Sequence, residues 1–140
     1  MIDFEEVMQA LVDHVQTKVP DFVSASRRLK HWTQVQDQPA FFLRRTGTID
    51  HYNGNMPITT LQCEGWIYCN AGKDPAVAPD EVLTGLEMAL RNSFAPNDGL
   101  RFTLGGLVHW CRIEGKSDMA AGDQGPQAIA RIPILITLPM

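Results

Sequence analysis

Each thing this chain is short of removes a class of protein. Cysteine occurs three times, as Cys63, Cys69 and Cys111. An odd count without a secretory leader does not make a disulfide framework, so reduced, buried thiols are expected. No apolar run approaches the roughly 20 residues that a bilayer-crossing helix needs. The opening MIDFEEVMQ is acidic and amphipathic, whereas a secretory signal starts with positive charge and an unbroken apolar stretch. The expectation is folding in the cytoplasm with no membrane partner. Positive charge is also scarce: 12 Lys and Arg against 16 Asp and Glu leave a formal net charge of -4. That is the wrong sign for a dedicated nucleic-acid binder; the short basic cluster Arg27, Arg28 and Lys30 reads as a solvated strand end. There is no GxGxxG, Walker loop, HExxH or GxSxG, so no short motif points to a catalytic or cofactor site.

What is there reads as one globular domain over 1–140. At 44% hydrophobic and 20% charged, the composition is that of a folded protein. A chain of this length can bury one ordinary core. Asp3 caps an opening helix, with Glu6 at capping-box spacing. Phe4, Val7, Met8, Leu11, Val12 and Val15 give that helix one apolar stripe, and Pro20 stops it. Pro79 and Asp80 open a second helix whose apolar face is Val82, Leu83, Leu86, Ala89, Leu90 and Phe94. Gly85 lies within it, which close helix–sheet packing would explain.

The remaining segments read as strands. A weak one spans Ser26 to Val35, and another starts at Ala40 and leaves the core at Arg44 and Arg45. Ile58 to Asn70 alternates clearly: Leu61, Cys63, Gly65, Ile67 and Cys69 face inward, while Thr60, Gln62, Glu64, Trp66 and Tyr68 form a half-polar aromatic face open to a partner. Arg101 to Leu104, Gly106 to Glu114 and Gln127 to Leu138 complete the set. Pro133 within the last places it at a sheet edge or on a bulge. Thr46–Pro57 and Gly115–Gly125 read as long turn-rich loops, mobile until something docks on them. The fold class is therefore α+β: a mainly antiparallel sheet with two main helices on one face.

Candidate chemistry is thin. Cys63, Cys69, His109 and Cys111 could meet around a zinc ion if their strands were neighbours, yet no CxxC knuckle is present. A cysteine nucleophile would need His109 or His31 beside it. His14 falls at the margin of the first helix's polar side. The trio Asp50, His51 and Tyr52 reads as turn and interface surface, and Asp118 and Asp123 lack the ligand spacing of a calcium loop. No metal, cofactor or catalytic residue is assigned.

The order of elements, the strand Leu107-Val108-His109-Trp110-Cys111-Arg112-Ile113-Glu114-Gly115 and the ending Gln127-Ala128-Ile129-Ala130-Arg131-Ile132-Pro133-Ile134-Leu135-Ile136-Thr137-Leu138-Pro139 together resemble the tail terminator proteins of long-tailed bacteriophages, the group that includes the lambda-type minor tail protein. The resemblance implies a virion protein of the tail and neck, assembled in the host cytoplasm. It implies a homo-oligomer, a hexameric ring on the tail tube protein that stops elongation and docks the neck or head–tail connector, with DNA only as passing cargo. It implies no catalysis and no cofactor. It transfers no residue roles, so the interface candidates come from the sequence itself: Arg44, Arg45, Asp50, His51, Tyr52, Trp66, Tyr68, Lys116, Asp118 and Asp123. Two other readings remain open: a different neck or tail-completion protein, and a small cysteine-dependent cytoplasmic enzyme.

Overall fold

The computed structural model describes residues 3–70, 72, 76–121 and 126–139. Helix α1 is Phe4–Lys18. Asp3 caps it by accepting from the Glu5 amide at 2.9 Å, which satisfies one of the donors that a helix start leaves unpaired. Val7, Met8, Leu11, Val12 and Val15 are all buried, as the 3.6-residue spacing requires. Helix α2 is Pro79–Ser93; it has no side-chain cap at Ala78, but Pro79 presets the first turn, and Asp80 and Glu81 sit at its positive end. Its buried face is Leu83, Leu86, Leu90 and Ser93. Gly85 does not mark close packing. It is exposed on the outer side of α2, and a Cβ there would meet nothing within 4 Å.

Six strands form one sheet among the described residues: β1 Ser24–Ser26, β2 Ala40–Asn53, β3 Met56–Asn70, β4 Trp110–Ile113, β5 Asp118–Ala121 and β6 Gln127–Thr137. The order is β1-β2-β3-β6-β4, with β5 on the same side of β6 as β4. Only β1 and β2 run parallel; the other pairs are antiparallel. The class is α+β with a mixed, mostly antiparallel sheet. Leu61, Cys63, Ile67 and Cys69 of β3 and Ala128, Ala130, Ile132, Ile134 and Ile136 of β6 face the helices in one continuous core with Phe41 and Leu43. No described helix is long and apolar enough to cross a membrane.

Three segments depart from the sequence-based expectation. The weak strand at Ser26–Val35 shrinks to the three residues of β1, followed by an irregular stretch with a 3₁₀ turn at Trp32–Gln34. Arg101–Leu104 contributes an isolated bridge at Arg101, and the next strand begins only at Trp110, because Leu104, Gly105 and Gly106 all take positive φ and turn the chain. Thr46–Pro57 is not a loop at all: it is the outer part of a β2–β3 hairpin that pairs through to Asn53↔Met56. A two-residue turn closes it, with Gly54 at φ 65°, a conformation that glycine adopts without steric cost.

Pro133 also sits differently from the expected edge or bulge. It lies in interior strand β6, opposite Glu64. Its carbonyl accepts from the Glu114 amide on the β4–β5 side, so its missing N–H faces the break between those two strands. Gly115 turns there at φ 120°, and a Cβ on it would stand 3.1 Å from Pro133 Cγ. The proline thus costs no ladder hydrogen bond because the neighbouring strand is interrupted beside it.

Candidate interaction surface

The face of the sheet away from the helices carries two of the charged candidates, Arg44 and Asp118, within a longer row of charge. From β2 to β5 run Arg44, Glu64, Arg131 and Asp118, one on each strand of the order β2-β3-β6-β5. Arg44 Nε and Nη2 both reach Glu64 Oε1, at 2.9 and 2.8 Å. Arg131 Nε lies 3.4 Å from Glu64 Oε2, and Arg131 Nη2 donates to Asp118 Oδ2. Lys116 Nζ stands 3.8 Å from Asp118 Oδ1. The hydrogen bond from Arg131 holds the Asp118 carboxyl below its ordinary range, and Arg131 is raised in turn. Alternating charge on neighbouring strands is the arrangement that stabilises a sheet face, whereas like charges would repel.

Beside this ladder, Trp66 and Tyr68 do not form an open face. Tyr68 is buried and Trp66 half-buried. With Ala40 and Phe42 they make a second small core, covered by Leu29, Trp32 and Val35 from the irregular stretch before β2. The Tyr68 hydroxyl donates to the Lys30 carbonyl at 2.5 Å, and burial raises its pKa. Arg44 lies 5.8 Å over the Trp66 ring. The alternation on β3 identified an amphipathic face correctly; it could not show that a stretch without periodicity would fold back over it.

Asp50, His51 and Tyr52 lie on the hairpin arm. At its base Thr46 is an extra residue between Arg45 and Gly47, a bulge that shifts the side-chain alternation of β2 by one. Beyond it Asp50 and Tyr52 share the helix-side face, where Asp50 Oδ1 accepts from the Thr59 hydroxyl at 2.8 Å. His51 points to the other face, opposite Ile58. The trio is therefore split and cannot work as an acid–base group. Arg45 packs over the Phe4 ring at 5.2 Å. Asp123 lies outside the described residues. Of the Gly115–Gly125 stretch, Asp118–Ala121 is strand β5.

Besides Tyr52, which is 72% exposed, the arm displays Met56 at 49% and Ile49 at 43%, two residues that the sequence alone did not mark. No apolar alternation marks this arm, and Gly47, Asp50, Asn53, Gly54 and Asn55 are turn-forming residues that read as a loop. Glu64 and Arg131, which knit the charge ladder, were likewise legible only as polar positions on strands, not as neighbours.

The thiols are poor nucleophiles. Burial pushes Cys63 up to about 12 and Cys69 to about 11, and drives Cys111 well above its ordinary value. Cys63 Sγ contacts Met8 Sδ at 3.5 Å. His109 is exposed and takes a contact from Arg101 Nη1 at 2.8 Å; His31 sits on the surface with Thr33. Among the described residues no group of three or more His, Cys, Asp or Glu side chains is placed to hold a metal ion. A groove of about 630 Å³ runs between the C-terminal halves of α1 and α2 and is lined by His14, Lys18, Asn92, Asn97 and Phe102 among others. Two of its polar side chains are tied into the fold: His14 Nε2 reaches the Ser93 carbonyl at 2.7 Å, and Asn97 both donates to and accepts from Thr103.

The chain matches no family model and no curated protein. Its geometry therefore has to carry the functional reading. That geometry is a long arm with exposed apolar side chains, a charge ladder crossing one face of the sheet from the β2 edge to the β5 edge, and buried thiols whose pKa values are raised.

Proposed function

We propose that this protein is a structural ring subunit of a long-tailed phage, a tail terminator that caps the tail tube, stops its elongation and gives the neck or head–tail connector a surface to dock. The observation that carries the reading is the β2–β3 arm. Past Thr59, whose carbonyl accepts from the Leu138 amide at 2.9 Å, β3 has no strand neighbour but β2 among the described residues, and among them β2 has no outer strand past Phe42. A two-stranded ribbon is marginal by itself in water. One that also displays Ile49, Tyr52 and Met56 fits a segment that is covered in an assembly. The sequence resemblance supplies the kind of assembly, a hexameric ring on a tube end.

The quiet thiols favour this reading over a cysteine-dependent enzyme. The net charge of -4 suits a channel through which DNA passes without adhering. The test is electron microscopy of purified tail tubes mixed with the protein and offered further tube subunits. Rings at tube ends and arrested growth are expected. Binding to isolated connectors, with tubes continuing to grow, would instead identify a neck protein.

A further inference from the structure

The sheet has two unlike open edges. On one side β1 ends at Ser26, beside Phe42, so β2 has no outer strand from Leu43 to Asn53 among the described residues. The Leu43 carbonyl already accepts from Arg27 Nη1 at 2.6 Å, which leaves the edge open from Arg44 outward. On the other side β5 pairs, among the described residues, with β6 alone. The steps β2/β3, β3/β6 and β6/β5 are all antiparallel, which leaves β5 antiparallel to β2. A second copy brought alongside with its strands in the same direction therefore offers β5 to β2 in the antiparallel sense, and unpaired edge groups are what an added strand needs.

The two edges also differ in charge. The ladder starts with Arg44 on the β2 edge and ends with Asp118 on the β5 edge, both on the sheet face away from the helices. Their side chains are 47% and 43% exposed. Arg44 uses Nε and Nη2 on Glu64. Asp118 commits Oδ2 to Arg131, while Oδ1 faces Lys116 at 3.8 Å, a side chain 89% exposed that can swing aside.

We propose that copies of this chain join head to tail by these edges, β5 of one adding to the outer edge of β2 of the next, with Asp118 of the first meeting Arg44 of the second. The alternation of charge then continues from subunit to subunit as one sheet. The contact uses two different patches, so repetition closes a ring or grows a filament. Pairing of β2 with β2 would oppose Arg44 to Arg44 and is disfavoured. The inference names the subunit contact of the ring proposed above and rests on that reading only in requiring that copies of the chain meet.

Charge reversal tests it. Arg44→Glu sets two carboxylates against each other at the contact, and Asp118→Arg sets two guanidinium groups against each other, so each variant alone should stay monomeric by sedimentation. In an equimolar mixture the two kinds of chain alternate. One contact then joins the two reversed side chains, the next joins native Arg44 to native Asp118, and the particle mass of the native protein should return. Should either reversed chain fail to melt cooperatively, Arg44→Gln and Asp118→Asn replace them. Each is expected to weaken self-association by up to about fivefold, as loss of a half-exposed ion pair does. Variants that assemble like the native chain, or folded variants whose mixture stays monomeric, overturn the edge contact and leave the ring intact. A native chain that never self-associates, in solution or on tube ends, overturns both.

Discussion

Burial decides what the three cysteines can do. Cys63 keeps its proton to about pH 12 and Cys69 to about 11, because the thiolate would lose its hydration in the core. In native protein near neutral pH all three thiols should be silent towards an aromatic disulfide reagent, and all three should react once the chain is unfolded. A rapid reaction of one native thiol would revive the enzyme reading. The same shifts set an alkaline limit. The unfolded chain releases these protons near the ordinary value of about 9 while the fold holds them to about 11 and about 12. The thiols therefore contribute stability below about 9 that is lost as pH rises towards 12, and the melting temperature should fall across that window. Two glycines give opposite expectations at this scale. Gly85→Ala, exposed on α2 with nothing within 4 Å of a new Cβ, should stabilise by about 0.5–1 kcal/mol in denaturant melts. Gly65→Ala would put its Cβ 2.9 Å from Phe41 Cε1 and 3.1 Å from Ile134 Cδ1. Both neighbours are fully buried, so a loss of about 1–3 kcal/mol is expected from overpacking.

At the scale of elements, the arm and the cover over the sheet are separable. Tyr52 and Met56 bear no burden in the monomer core, since both are well exposed. Tyr52→Ser with Met56→Ser should leave stability within about 0.5 kcal/mol yet abolish ring formation on tube ends, measured by melting and by microscopy on the same sample. Tyr68→Phe should do the reverse: it removes the hydroxyl donor to the Lys30 carbonyl, costing about 0.5–1.5 kcal/mol, with assembly unchanged. The contrast follows what sequence can carry. Both helices, the inward face of β3 and the long apolar face of β6 were legible because their periodicity reports burial directly. The arm was not, because an uncovered ribbon lacks the alternation that a core imposes and its turn-forming residues are compatible with either a loop or an exposed hairpin. Trp66 and Tyr68 were placed on the right face but given the wrong exposure, since what covers them is an irregular stretch whose path is set by packing, not by pattern. Arg44 and Asp118 were singled out from the sequence, but the register that links them through Glu64 and Arg131 exists only in the folded sheet.

For the whole molecule, two kinds of interaction hold two levels of organisation, and salt should separate them. The subunit is held by an apolar core in which both helices and the inward faces of β2, β3 and β6 are packed, and such burial is insensitive to moderate salt. The proposed contact between copies instead joins half-exposed charges, Arg44 and Asp118. Pairs of this kind weaken as the Debye length contracts from about 10 Å at 0.1 M to about 3 Å at 1 M. Self-association should therefore fall steeply across that range while the melting temperature of the subunit barely moves. Acid should act on the same contact. Arg131, Lys116 and the incoming Arg44 all face Asp118, whose carboxyl already sits below its ordinary range in the single subunit. Its contribution to the contact is complete wherever the already lowered carboxyl of the free subunit is ionised, and is lost only as pH falls through that lowered range. Sedimentation across pH should thus show assembly surviving below the point at which unperturbed carboxylates protonate. Dissociation near neutral pH would place the contact on other groups.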